Sequence, residues 1–138
     1  MYAILHFKNH CAKRNSHRYF HLTVSKQSET ILSGQFYMLK SWDDSLPLMR
    51  PLSVFYVEND RLHFLYKKIG KGTELLSLLL KGDNIELLGP LGNGFPVKEV
   101  SGKIALIGGG IGIFPLLETA KENKNNMVIS LILGMQNF

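Results

Sequence analysis

The chain has 138 residues, of which 45% are hydrophobic and 10% aromatic, and its formal net charge is +5 at pH 7. This composition excludes an intrinsically disordered chain and predicts a globular protein with a core of its own. The positive charges are spread along the chain, so they indicate solvated lysines rather than a nucleic-acid-binding patch. No apolar run approaches the about 20 residues of a membrane span, and the first residues lack a secretory pattern. We therefore expect neither nucleic acid nor a membrane as a partner.

Cys11 is the only cysteine in the sequence. An internal disulfide is therefore impossible, which agrees with a reducing cytoplasm and predicts a cytoplasmic location. A single thiolate also cannot hold an iron–sulfur cluster, which normally takes four protein ligands.

The first part of the chain predicts two strands, at residues 2–7 and 19–24, separated by a polar turn. Four of the five histidines lie in this part, in two pairs with a spacing of four: His6 and His10, and His17 and His21. On a helix each pair would meet and suggest a metal site with Cys11. On strands, positions four apart lie about 13 Å apart and cannot share a metal ion. Because the flanking residues favour strands, we predict no metal site.

The middle of the chain predicts a strand over Ser33–Leu39, a loop over Trp42–Leu48 and then a hairpin over Val54–Ile69. Both arms of the hairpin are rich in β-branched and aromatic residues, and Glu58-Asn59-Asp60 is typical of a turn. A hairpin brings its outer ends together. We therefore expect the stretch that precedes it, Arg50-Pro51-Leu52-Ser53, to lie near Lys67 and the turn that follows.

That turn, Gly70-Lys71-Gly72-Thr73, predicts the start of a helix. Thr73 is the predicted N-cap of an amphipathic helix over residues 74–80, which ends at Lys81-Gly82. Pro51 restricts Arg50 to an extended backbone, which favours a pre-aimed guanidinium. A cation, a hydroxyl and exposed backbone N–H groups together predict a site for a phosphate-bearing ligand with a polar ring edge. The alternatives are a surface arginine before an edge-strand proline and a capped helix without a ligand.

The last part of the chain predicts a strand over Asn84–Leu88, consecutive turns over Gly89–Phe95 and then a change of pattern near Ser101. The pattern that follows predicts a βαβ unit. It consists of a buried parallel strand over Lys103–Ile107, a glycine-rich turn over Gly108–Gly112, a helix over Phe114–Glu122 and a second buried strand over Met127–Leu133.

The glycine-rich turn departs from the strict dinucleotide fingerprint Gly-x-Gly-x-x-Gly. Gly108 and Gly110 fit it, but Ile113 stands at the third glycine position, and no acidic residue follows the second strand. The turn has two interpretations, a nucleotide-facing turn and a tight connection between strand and helix.

Five motifs in this order resemble the ferredoxin–NADP reductase superfamily. They are Arg50-Pro51-Leu52-Ser53, Leu65-Tyr66-Lys67, Gly72-Thr73, Leu88–Phe95 and Ile107–Leu116. Within the superfamily, the chain most resembles the electron-transfer subunit, with FAD and an iron–sulfur cluster, of bacterial NAD-dependent dihydroorotate dehydrogenase.

The resemblance implies a mainly β chain with an α/β part. A six-stranded antiparallel Greek-key β-barrel that binds FAD would occupy residues 1–99, and the first βαβ unit of an incomplete NAD-binding domain would occupy residues 100–138. Members of the family continue through further strands, helices and four cysteines for a [2Fe–2S] cluster. We therefore expect a shortened gene product or a fragment, with exposed sheet edges that favour association between chains.

The resemblance also implies roles for particular residues. The motif Arg50, Pro51, Leu52, Ser53 would bind the cofactor. In it, Arg50 would neutralise the flavin phosphates and Ser53 would form a hydrogen bond with the edge of the flavin ring. Leu65, Tyr66 and Lys67 would line the ring and its chain, although Tyr66 could instead be a barrel-wall aromatic. Gly72 and Thr73 would bind the diphosphate, which favours FAD over FMN. The residues that would face NADH and the flavin are Gly108, Gly109, Gly110, Gly112 and Pro115.

No acid–base pair or nucleophile stands out among the residues, as in proteins whose cofactor carries the chemistry. The family's reaction implies hydride transfer from NADH to FAD, then electron transfer through the cluster to a catalytic subunit for dihydroorotate, in pyrimidine biosynthesis. The alternatives are another FAD-dependent NAD(P)H reductase of the superfamily, a non-catalytic barrel that binds flavin or a partner, and a structural barrel without a ligand.

Overall fold

The computed structural model of the chain describes residues 2–4, 19–25, 30–97, 103–123 and 130–134. Within them, eight strands and two α-helices follow one another, and a short 3-10 helix over Gly110–Ile113 precedes the second helix. The strands are β1 (Tyr2–Ile4), β2 (Tyr19–Ser25), β3 (Phe36–Lys40), β4 (Arg50–Glu58), β5 (Arg61–Lys67), β6 (Asn84–Leu91), β7 (Ala105–Gly109) and β8 (Ser130–Gly134). The helices are α1 (Lys71–Ser77) and α2 (Phe114–Glu122).

Six strands form one antiparallel sheet in the order β1-β6-β3-β4-β5-β2. Strand β4 is therefore an internal strand, paired with β3 through Leu39 opposite Arg50 and with β5 through Val57 opposite Leu62. This pairing brings the start of β4 and the end of β5 to the same side of the sheet. It confirms the predicted mainly β class and the predicted hairpin.

The hairpin turn consists of Asn59 and Asp60, both of which have positive φ angles, of 48° and 55°. Two successive residues with positive φ match the twist of the flanking strands, and Asn and Asp tolerate this conformation better than most residues. The turn residues of the sequence thus fix the hairpin register from Glu58 opposite Arg61 to Tyr56 opposite His63. A bulge between Val54 and Tyr56 then shifts the register by one residue toward the outer ends.

The core lies on the inner face of this sheet. Alternate residues of β6 and β3 are buried, in agreement with the period of two expected for a strand. The core residues with the lowest exposed fractions are Phe64, Val24 and Leu39 at 0% and Leu22, Leu62, Leu76 and Ile85 at 2%.

Strands β7 and β8 pair in parallel, with Ala105 opposite Ser130, and α2 lies between them in sequence. This confirms the predicted βαβ unit, and α2 has the predicted bounds. Helix α2 packs on β4 of the large sheet, where the rings of Phe55 and Phe114 meet edge to face at 5.3 Å. The Ser33 hydroxyl also donates a hydrogen bond of 3.0 Å to the Glu122 carboxylate. These contacts join the two sheets.

Several predictions about these elements were wrong. Helix α1 begins and ends three residues earlier than predicted, at Lys71 and Ser77, with Gly70 as its N-cap. Strand β6 continues through Gly89 and Pro90 to Leu91, where a turn was predicted, because its pairing with β3 resumes at Leu91 opposite Phe36 after a one-residue shift in register. Strand β7 is only partly buried, since Ile107 is 71% exposed.

Several predictions fall outside the described residues. They concern the histidines and cysteine His6, His10, His17 and Cys11, the polar turn after residue 7, and the beginning of the last strand at Met127–Ile129. His21 lies in β2, as predicted. In the part of the chain that the structure describes, no helix is long and apolar enough to cross a membrane. No cluster of three or more potential metal-binding side chains occurs among the same residues.

Candidate functional site

A cavity of about 640 Å³ opens where the start of β4, the end of β5, the first turn of α1 and the start of α2 come together. Its lining contains eight of the nine residues predicted to bind a cofactor: Arg50, Pro51, Leu52, Ser53, Leu65, Tyr66, Lys67 and Thr73. Two residues of the predicted nucleotide turn, Gly112 and Pro115, also line the cavity. The fold thus brings together two groups of residues that are 39 to 65 positions apart in sequence.

Arg50 lies at the start of β4 with its side chain held on two sides. Its Nη1 donates a hydrogen bond of 2.8 Å to the Leu48 carbonyl, and its guanidinium carbon lies 5.7 Å from the centre of the Trp42 ring. No carboxylate of the described residues lies within ion-pair distance of this guanidinium. The cavity therefore receives a cation that has no ion-pair partner among these residues.

Thr73 occupies the third position of α1 rather than the predicted N-cap position. Its hydroxyl accepts hydrogen bonds from the backbone N–H groups of Ile69 and Gly70, at 3.0 and 3.1 Å. It also donates to the Gly70 carbonyl at 2.9 Å. Because its hydroxyl is fully occupied within the turn, Thr73 shapes the loop before α1, and its backbone N–H is the group left for a ligand.

Gly72 does not line the cavity but lies directly against Arg50. A Cβ atom on Gly72 would stand 2.4 Å from the Arg50 Nε, well inside contact distance. The guanidinium therefore crosses the first turn of α1, where the backbone N–H groups have no partner within the helix. Positive charge and N–H donors converge at this end of the cavity, as the sequence predicted.

The wall formed by β4 and β5 is largely apolar. Ser53 is exposed on β4, and Leu65 and Lys67 are partly buried on β5. Tyr66 is only 3% exposed, and its ring stacks on Phe20 at 5.7 Å. Burial raises the pKa of the Tyr66 hydroxyl, so this side chain stays neutral. Tyr66 thus belongs to the core and presents only part of its ring to the cavity.

The glycine-rich turn divides into two parts. Gly112 and Pro115 line the cavity, whereas Gly108, Gly109 and Gly110 do not. At Gly108 a Cβ atom would stand 2.8 Å from the Leu116 side chain and 3.2 Å from the Ile113 backbone. Gly108 therefore permits close packing of strand and helix, which is the second of the two interpretations of this turn.

Five lining residues were not predicted: Ile69, Gly70, Lys71, Ile111 and Phe114. Each lies within two positions of a predicted residue, so proximity in sequence to Lys67, Gly72, Gly112 or Pro115 was the available signal. Ile69 is 80% exposed and contributes apolar surface to the cavity.

The lining described here contains no histidine and no carboxylate. It offers the cations Arg50, Lys67 and Lys71, backbone N–H groups, the exposed hydroxyl of Ser53 and apolar walls. Such a lining suits the binding and orientation of a ligand with anionic and aromatic parts.

Two curated relatives extend these observations. The electron transfer subunit of dihydroorotate dehydrogenase B (NAD(+)) from Clostridium acetobutylicum is 46% identical over 106 residues, which cover 77% of this chain and 43% of the relative. The subunit of the same name from Bacillus caldolyticus is 38% identical over 127 residues, 86% of this chain and 49% of the relative. The chain is a homologue of these electron-transfer subunits. It spans about half their length.

Solved structures of ferredoxin–NADP reductases have the same fold as this chain. An NADH-dependent reduced ferredoxin–NADP oxidoreductase aligns with a TM-score of 0.77 and 27% identity over 100% of this chain and 49% of its own. The Neisseria gonorrhoeae ferredoxin–NADP+ reductase, with bound FAD and NADP, aligns with a TM-score of 0.72 and 25% identity over 96% of this chain and 55% of its own. Comparison with protein-family models gives no match. The resemblance inferred from the five motifs is confirmed.

Proposed function

We propose that the cavity binds FAD, with the diphosphate at the Arg50 end and the ring along strands β4 and β5. The observation that carries this proposal is the Arg50 guanidinium, held across the first turn of α1 at the cavity without an ion-pair partner among the described residues. Guanidinium groups bind phosphate oxygens by paired, charge-assisted hydrogen bonds. The volume of about 640 Å³ lies within the range of about 300–1,000 Å³ for small-molecule sites, so the residues fit the cofactor.

The residues of the cavity then have distinct tasks. Arg50 binds the phosphates, with Pro51 and Leu52 as the adjoining wall, and the backbone N–H groups of Gly72 and Thr73 supplement its charge. Ser53 donates to or accepts from the polar edge of the ring. Leu65, Tyr66 and Lys67 line the ring and its chain. When FAD is bound, it supplies the chemistry that converts hydride transfer into electron transfer.

We propose for the whole protein that electrons pass from NADH through FAD toward a catalytic dihydroorotate dehydrogenase subunit, in pyrimidine biosynthesis. The names of the relatives support this, and the chain covers 43% to 49% of the two relatives described above. Gly112 and Pro115 would face the nicotinamide from the α2 side. The residues of this chain do not fit a [2Fe–2S] cluster, because Cys11 is its only cysteine. The ligands of such a cluster would lie outside these 138 residues.

We also propose that the six strands close into a barrel and that the chain has two domains. The edge strands β1 and β2 approach each other, which supports closure of the six strands into a Greek-key barrel. The barrel would form a flavin domain over residues 1–99, and the βαβ unit would begin a nicotinamide domain at residue 100. The cytoplasm would be the location, in agreement with the single cysteine.

The test is to purify the chain with excess FAD, remove free ligand and identify the released flavin by its visible spectrum and mass. We expect about one FAD per folded chain and its loss in Arg50→Ala. The matched control is Arg61→Ala, because Arg61 is exposed at the start of β5 and does not line the cavity. A folded chain that retains no FAD, or an Arg50→Ala variant that retains as much as Arg61→Ala, would contradict the proposal.

A second candidate is another FAD-dependent NAD(P)H reductase of the superfamily. The FAD- and NADP-bound Neisseria gonorrhoeae enzyme among the structural neighbours favours it. The rates at which NADH and NADPH bleach the bound flavin separate the two candidates, since faster bleaching by NADPH supports the second. Bound flavin that neither nucleotide bleaches supports a non-catalytic flavin-binding barrel.

A further inference from the structure

Three glycines lie at or beside the cavity, and they differ in what surrounds them. Cβ atoms added at Gly70 and Gly112 would meet no atom within 4 Å. At Gly72 an added Cβ atom would stand 2.4, 2.9 and 3.0 Å from Nε, Cγ and Cζ of Arg50. Gly72 is the second residue of α1, an ordinary helical position where alanine has the higher propensity. The absence of a side chain at Gly72 is therefore explained by Arg50 and not by the backbone conformation.

Arg50 is confined from the other sides as well. The Trp42 ring lies 5.7 Å from its guanidinium carbon, and the Leu48 carbonyl accepts from its Nη1 at 2.8 Å. An arginine side chain has several rotatable bonds, and fixing them on ligand binding costs rotamer entropy. Gly72, Trp42 and the Leu48 carbonyl fix them before a ligand arrives. A methyl group at Gly72 would push the guanidinium out of this arrangement.

We propose that Gly72 is a positioning residue for Arg50. Its missing side chain creates the space in which the guanidinium lies across the first turn of α1 and faces an anionic group in the cavity. The missing side chain of Gly72 thus acts on the ligand indirectly, through Arg50, while the backbone N–H group of Gly72 stays available to the phosphates. This inference deepens the proposed FAD site and rests on it for the identity of the ligand.

A double-mutant cycle tests the inference through FAD affinity. The four proteins are the wild type, Gly72→Ala, Arg50→Ala and the double variant, each titrated with FAD by calorimetry. We expect Gly72→Ala to weaken binding about tenfold and Arg50→Ala about tenfold to a hundredfold, because each loses charge-assisted hydrogen bonds to phosphate. In the double variant the clash is absent, so its affinity should equal that of Arg50→Ala within about twofold. Effects that multiply in the double variant, or wild-type affinity in Gly72→Ala, would overturn the inference.

Trp42 provides a second readout that needs no FAD. It is the only tryptophan in the chain, so the intrinsic emission reports on the ring that faces Arg50. Gly72→Ala and Arg50→Ala should change this emission in the same way, and the double variant should add no further change. Ser77→Ala, at the other end of α1, is the control and should emit as the wild type does.

The two readouts separate this inference from the proposed function. Absence of FAD binding by the wild type would contradict the proposed function, while equal emission changes in Gly72→Ala and Arg50→Ala would still support the positioning role. Unchanged emission in Gly72→Ala, with the protein folded by circular dichroism, would overturn the positioning role whatever FAD does.

Discussion

His63 gives the sharpest prediction about stability, because the fold buries an imidazole that ordinarily titrates near neutral pH. Its exposed fraction is 8%, and its ring stacks on Tyr56 at 4.1 Å with an interplanar angle of 11°. Its Nδ1 lies 2.9 Å from the His21 Nε2 and 3.3 Å from the Thr23 hydroxyl. Burial, and then repulsion from His21, lower the pKa of His63 from 6.5 to about 4.

The direction of the pH effect follows from these values. Glu58 favours the charged form of His63 and Arg61 disfavours it, but both act less strongly than burial. Between pH 6.5 and 4 the unfolded chain binds a proton at this position and the folded chain does not, so the free energy of unfolding falls as the pH falls. The contribution of His63 is complete above pH 6.5 and is lost by about pH 4. The gap between the two pKa values is worth at most about 3 kcal/mol. We expect about 2 kcal/mol, since His21 is partly exposed and water screens the pair.

The assay is urea unfolding followed by Trp42 fluorescence at several pH values from 4 to 7.5. The control variant is His63→Phe, which keeps a flat ring against Tyr56 and cannot titrate. Between pH 7.5 and 4, the free energy of unfolding of the wild type should fall by about 2 kcal/mol more than that of His63→Phe. Equal pH dependence in the two proteins would refute the assignment of a buried, neutral His63.

Further predictions concern the core and the contact between the two sheets. Phe64→Ala should lower the free energy of unfolding by about 3 to 5 kcal/mol, because Phe64 is 0% exposed at the centre of the core. Chemical denaturation measures this loss. A loss below about 1 kcal/mol would disprove the central placement of Phe64. Ser33→Ala removes the hydrogen bond to Glu122 and should raise amide hydrogen exchange in α2 severalfold, equivalent to about 1 kcal/mol, with no change in β3. Ser45→Ala in an exposed loop is its control, and equal exchange in both variants would show that the bond does not hold α2.

Local sequence signals were sufficient for the hairpin and for α2. Asn59 and Asp60 tolerate the positive φ angles of the turn, and Pro115 suits the first turn of a helix, so each element is encoded within a few residues. Strand β6 was shortened in the prediction because Gly89 and Pro90 indicate a turn wherever they occur together. Only pairing with β3, a long-range contact, extends the strand through them.

Most of the lining of the cavity was predictable because four of the five motifs supply it, and the hairpin brings the first three motifs together. The contact between Arg50 and Gly72 was not predictable, since two residues 22 positions apart gave no local sign that one makes room for the other. The N-cap was misplaced for a related reason. Thr73 is a favoured capping residue, but its hydroxyl binds N–H groups that precede it, so α1 begins earlier.

The most direct test of the proposed site compares FAD with riboflavin, which has the ring but no phosphate, by calorimetric titration of the purified chain. Charge-assisted hydrogen bonds to phosphate contribute about 1.5 to 3 kcal/mol each, so we expect FAD to bind at least about a hundredfold more tightly than riboflavin. Equal affinities for the two ligands, or no binding of FAD by the folded chain, would contradict the assignment of the Arg50 end of the cavity as a diphosphate site.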